Sequence, residues 1–178
     1  MVHPTRQALI DAGFALASTE SLNRITVDAI VSKAGFAKGT FYVHFADRAA
    51  FLLALHVQFH EHLRDCIQQV MATLPPGAER LRKGVEVYLD ECLKERALKA
   101  LLLDARSQAP LTEAVQQRSR EFATLTSVDF KVLGWPDANA SARLFTVLVA
   151  EVALVELETG RNEAMRQALW SFARIEHA

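Results

Sequence analysis

The residues with the densest chemistry lie in "AGFAKGTFYVHFADR", Ala34 to Arg48. Two glycines, Gly35 and Gly39, stand four apart, and a threonine and four rings follow: Phe41, Tyr42, His44 and Phe45. At helical spacing Phe41 and Phe45 share one face, while Lys38 with Tyr42, and Thr40 with His44, form two further stripes. The phenylalanines are expected to anchor a short helix on Val27, Ile30, Leu9 and Phe14, leaving the tyrosine and histidine turned outward. Gly35 permits a turn. Gly39 removes bulk where a helix start would approach a duplex backbone, and its N–H can point at a phosphate. The glycine costs about 1 kcal/mol of helix stability relative to alanine. No acid stands between Asp28 and Asp47, while Lys33 and Lys38 do, so this window is locally positive.

Other chemistries are weaker. "HVQFHEH" sets His56 and His60 at i and i+4, with Glu61 and His62 beside them. Only two histidines can share a helix face, and the remote thiols Cys66 and Cys92 are the sole further ligands in view, so no metal is expected. The two cysteines lack CxxC spacing, which favours a reducing compartment over a disulfide framework. There is no GxSxG, no HExxH, no glycine-rich phosphate loop and no nucleophile–base pattern. Catalysis has no visible carrier, and neither an enzyme nor a cofactor is expected.

The elements that would hold these residues read as helices throughout. Apolar residues from Ala8 to Ala17 repeat at three and four, giving helix one over about Thr5 to Thr19. Thr26 caps helix two, Asp28 suits its positive end, and Gly35 closes it. Helix three runs from about Lys38 to Phe45. Asp47 caps a long helix four that reaches about Thr73. "LPPGAE" breaks the chain, and helix five covers about Ala78 to Glu95. A helix through "RALKALLLDARSQ" stops before Pro110, and another continues to about Val132. After "LGWPDANAS", two more run near Ala138 to Thr159 and Asn162 to Ile175. No alternating strand pattern is found, so the chain is expected to be all-α, with eight or nine helices.

Bulk properties agree. The 178 residues are 51% apolar, with only 7 glycines and 5 prolines, which suits a sizeable helical core. A net charge of -1 means that any nucleic-acid contact comes from a local surface. In the first fifty residues Arg6, Arg24, Lys33, Lys38 and Arg48 face Asp11, Glu20, Asp28 and Asp47, leaving only +1. The N-terminus has no signal-peptide pattern. "LFTVLVAEVALVEL" is too short for a membrane span and carries Glu151 and Glu156. A cytoplasmic location and no membrane partner are expected.

Two helices joined by a short glycine-containing turn form a helix-turn-helix, whose second helix enters the major groove. Residues Arg6 to Leu55 resemble the DNA-binding domain of TetR/AcrR-type transcriptional regulators, through "ITVDAIVSKAG", "AGFAKGTFYVHF" and Asp47-Arg48. The resemblance implies a three-helix DNA-binding domain over 1–46 and a larger effector-binding and dimerisation domain over 47–178. It puts Lys38 and Val43 where base edges are read. It puts Thr26, Thr40, Tyr42, His44 and Arg48 where phosphates are held. Ser21 departs from the usual glycine, Ile25 from a threonine, Ala37 from a capping serine and Arg48 from a lysine.

"ARLFTVLVAEVALVELE" is apolar around most of its circumference and must be covered on both sides. Leu148, Val152 and Val155 are expected to face a partner, with Ala150 and Ala153 allowing close approach. Met165, Leu169, Phe172 and Ile175 form a second apolar seam. The resemblance implies that such helices make a four-helix dimer interface, and a two-fold homodimer suits a palindromic operator. It also implies an effector pocket, for which Tyr88, Cys92, Leu103, Phe122 and Phe145 are the candidate lining, with Arg106 or Arg118 as polar anchors. The function expected is a one-component repressor of double-stranded operator DNA, released by a small-molecule effector. The alternative is a helical small-molecule-binding protein or enzyme with a degenerate helix-turn-helix.

Overall fold

The computed structural model describes residues 3–20, 24–96, 98–99 and 109–175. Among these, eight helices and no strand are found: α1 Pro4–Ala17, α2 Val27–Ala34, α3 Lys38–His44, α4 Arg48–Met71, α5 Ala78–Lys94, α6 Ala109–Val132, α7 Ala138–Thr159 and α8 Glu163–Phe172. The expected helix through "RALKALLLDARSQ" falls mainly outside the described residues. The chain divides into two units, Met1–His60 with Glu95–Val115, and Glu61–Lys94 with Gln116–Ala178.

Local chemistry sets most helix ends in the first unit. Thr26 Oγ1 accepts from the Ala29 N–H at 3.2 Å and caps α2. Gly35 closes α2 in the left-handed region at φ 75°, and the Phe36 N–H returns to the Val31 carbonyl at 2.9 Å. Asp47 Oδ1 accepts from the Ala50 N–H at 2.8 Å at the start of α4. Ala37 precedes α3 with no side-chain cap.

The core of this unit joins α1, α2 and α3 to the first half of α4. Leu9, Ile10, Ile25, Ile30, Phe41, Phe51, Leu52 and Leu55 are fully or nearly fully buried. Gly13 of α1 faces α4 so closely that an added Cβ would lie 2.6 Å from Phe51 Cζ. Phe41 and Phe45 meet each other at 5.3 Å between ring centroids, and they meet Phe51 at 5.5 and 5.1 Å. The rings are thus anchored by an aromatic residue of α4, which was not among the partners expected from the sequence. The Arg6 guanidinium covers the other side of Phe45, 5.0 Å from its centroid.

The second unit has its own core of Leu81, Val85, Leu89, Phe130, Phe145, Val149, Val152, Leu169 and Trp170. Two buried carboxylates organise its turns. Asp129 accepts from the Gly77 N–H at 2.8 Å and from Arg80 at 2.7 Å, fixing the start of α5 after the Pro75-Pro76 break. Glu156 binds Arg166 at 2.7 and 2.8 Å and accepts from the Asn162 N–H at 2.9 Å, tying α7 to α8. Burial disfavours the Arg166 charge, but its bonds to Glu156 and Asp90 outweigh that and raise its pKa above the ordinary arginine value.

Candidate nucleic-acid interface

α2, the Gly35 turn and α3 form the site. α3 buries Phe41 and Phe45 and leaves its other side open: Lys38 and Gly39 are exposed, Tyr42 is 52% exposed and Val43 78%. A Cβ added at Gly39 would meet no heavy atom within 4 Å beyond its chain neighbours and its own helix backbone. The chain itself therefore gives no packing reason for a glycine there, and its φ lies outside the left-handed region.

The side chains of this face have partners that sequence spacing does not reveal. Lys38 Nζ lies 2.9 and 3.1 Å from the two oxygens of Asp28 on α2. The hydrogen bond and charge of Asp28 raise the Lys38 pKa, so the ammonium is held charged. His44 is half-buried, its ring 4.8 Å from that of His3, rather than simply turned outward. Arg48 Nε donates to the Ile25 carbonyl at 2.7 Å, fastening the start of α4 to the segment before α2. Thr26 is exposed, and its hydroxyl keeps a hydrogen to donate while accepting from Ala29. Thr40 is half-buried. Among the eight candidates, Thr26, Lys38, Gly39, Tyr42 and Val43 are exposed, while Thr40, His44 and Arg48 lie partly within the fold.

The other candidate residues divide differently. Tyr88 and Phe122 are half-buried against the second core, ring centroids 6.0 Å apart. Phe145 and Cys92 are buried in this unit. Leu103 and Arg106 lie outside the described residues. Arg118 pairs with Glu121 at 2.8 Å.

The residues expected at the dimer face differ in burial. Val152 and Leu169 are buried in the chain's own core, and Leu148 and Met165 pack against it. Val155 is half-buried, and Phe172 alone of the six is open, at 66%. On α7 the exposed apolar residues are instead Leu144, 70% exposed, and Val147, 65%, with Ala150 beside them. A helix apolar nearly all round does not declare its inner face. The contact with α5 selects Phe145, Val149 and Val152 for the core and turns Leu144, Val147 and Ala150 outward.

An α2–turn–α3 element with a buried aromatic back and an exposed polar front, on an all-helical chain, defines a helix-turn-helix DNA-binding protein. Residues 9–55 match the family model described as bacterial regulatory proteins, tetR family. That match covers the amino-terminal helices, and over nearly its whole length the fold is similar to that of solved transcriptional regulators. A transcriptional regulator from Rhodococcus sp. Rha1 is similar with a TM-score of 0.81 and 20% identity, covering 95% of this chain and 94% of that one. The fatty acid degradation regulator FadR from Bacillus halodurans is similar with a TM-score of 0.76 and 16% identity, covering 98% and 95%. The multidrug binding protein EbrR, complexed with imidazole, gives 0.79 and 17%, covering 99% and 97%. No curated protein matches the chain in sequence. Among the described residues, no helix is long and apolar enough to cross a membrane.

Proposed function

We propose that two copies of this chain bind a palindromic operator, repress transcription there, and let go when a small molecule binds. The observation that carries the reading is the open face of α3: Lys38, Gly39, Tyr42 and Val43 are exposed on a helix anchored by two buried phenylalanines. Lys38 and Val43 would meet base edges, and Thr26, Thr40, Tyr42, His44 and Arg48 would hold phosphates. Arg48 and His44 would act partly by fixing the geometry, through Ile25 and His3.

The homodimer is supported by the apolar stripe of Leu144 and Val147 on α7 and by Phe172 on α8. Effector release is supported by the half-buried Tyr88 and Phe122, aromatic walls of the kind that line small-molecule sites. The structurally similar EbrR is a multidrug binding protein. An effector would act by moving α4, which has residues in both units. A coupling of about 1–3 kcal/mol suffices for release.

The test is equilibrium binding to the DNA upstream of the protein's own coding sequence, followed by fluorescence anisotropy over a salt series. The expected result is a steep linear fall of log affinity with log salt. Tyr42→Ala should weaken all sequences alike, whereas Lys38→Ala should relax the preference among them. Absence of binding at every salt concentration, with a small molecule still raising the melting temperature, would favour the degenerate-reader alternative.

A further inference from the structure

We propose that His62, Cys66 and Glu91 form a binding site for a thiophilic divalent transition metal ion of the zinc class. His62 and Cys66 stand four apart on α4, so they share a helix face, and Glu91 on α5 closes the triangle. His62 Nε2 lies 3.7 Å from Cys66 Sγ and 3.4 Å from Glu91 Oε2, and the three ligand atoms all lie within 4.8 Å of one another. Zinc bonds of about 2.3 Å to sulfur and about 2.0–2.2 Å to nitrogen or oxygen give tetrahedral ligand–ligand edges of about 3.4–3.6 Å. Two of the three edges are therefore near the metal-bound length, and a small rotation of Cys66 would bring in the third.

The scaffold around the triangle is closely packed. Gly84 of α5 sits so close to α4 that an added Cβ would lie 2.7 Å from Met71 Sδ and 3.6 Å from Ile67 Cγ2. Leu63, Ile67 and Met71 bury the inner face of the same stretch of α4, which turns His62 and Cys66 to its outer side. Lys94 binds Oε1 of Glu91, orienting the carboxylate with Oε2 toward His62. His62 is exposed while Cys66 and Glu91 are half-buried, so an ion has an entry path and a fourth position open to water. A thiol, an imidazole and one carboxylate suit zinc or cobalt rather than magnesium or calcium, which take oxygen ligands. Binding converts the Cys66 thiol to a thiolate and releases its proton to solvent.

The sequence hides this site because Glu91 is 25 residues beyond Cys66, and because His56 and His60 draw attention instead. His56 is buried, with its ring 4.3 Å from that of His60.

The experiment is titration of the reduced, DNA-free full chain with Co²⁺. One cobalt per chain is expected, with a thiolate-to-cobalt charge-transfer band and the strong visible absorption of tetrahedral cobalt, both displaced by Zn²⁺. Cys66→Ser should abolish the charge-transfer band, His62→Ala and Glu91→Gln should each weaken binding at least tenfold, and His60→Ala should leave it unchanged. Zn²⁺ should also raise the melting temperature of the parent chain and not that of Cys66→Ser, a readout that separates ligand loss from misfolding. A band that survives Cys66→Ser, or no band at millimolar cobalt, or an affinity in His62→Ala and Glu91→Gln unchanged from the parent chain, would overturn the site. No DNA is present, so the outcome is independent of the operator-binding reading.

Discussion

Three helical glycines distinguish what the fold requires from what a partner requires. Gly13 and Gly84 are each filled by a neighbouring side chain, while Gly39 faces open space. Gly39→Ala should therefore raise folding stability by up to about 1 kcal/mol, seen as a later midpoint in denaturant melts, and lower DNA affinity at least tenfold by anisotropy. Gly13→Ala should do the reverse in stability, costing roughly 1–3 kcal/mol through the clash with Phe51. Lys38 is held by Asp28 on the exposed face. Asp28→Asn removes a negative charge there and releases the ammonium, so DNA affinity should rise several-fold at low salt and the gain should shrink as salt increases. Spacing alone revealed the exposure of Tyr42 and the caps at Thr26 and Asp47, because these depend on neighbours within four residues, whereas Val43 was placed by the family resemblance. It did not reveal the partners of Arg48, His44 and Lys38, which come from Ile25, His3 and Asp28.

At the scale of elements, capping chemistry and apolar period were sufficient to bound most helices. α7 runs Ala138–Thr159, as its sequence pattern indicates, since Asp137 caps it at 2.9 Å and Gly160 ends it. α3 is the shortest of the described helices, seven residues without a side-chain cap. Ala37→Ser should supply that cap and stabilise the domain by about 1 kcal/mol, measurable by chemical denaturation, while Thr26→Ala should cost a similar amount at α2. The facing of α7 was not legible. Its apolar residues nearly encircle the helix, and only the packing against α5 distinguishes Val152, inside, from Val147, outside. The double substitution Leu144→Glu and Val147→Glu should leave the helix content unchanged and shift sedimentation from dimer to single chain. A dimer that persists would move the interface elsewhere.

At the scale of the whole molecule, an all-α fold of this family's type was legible from helix count, helix length and one short motif. The buried charges were not. Glu156 sits in the most apolar stretch of the chain, yet it is fully paired with Arg166 and fixes the turn between α7 and α8. Glu156→Gln leaves the buried guanidinium of Arg166 with Asp90 as its remaining counter-charge and should cost about 1–3 kcal/mol of folding stability. The central claim is that two such chains present α3 to successive major grooves. Selection of bound duplexes from a random pool, read by sequencing, tests it most directly. The account predicts enrichment of a two-fold symmetric sequence whose half-sites are centred about one helical turn apart or slightly more, on the order of 34–36 Å. Enrichment of a single asymmetric half-site, or no enrichment at all, would contradict it.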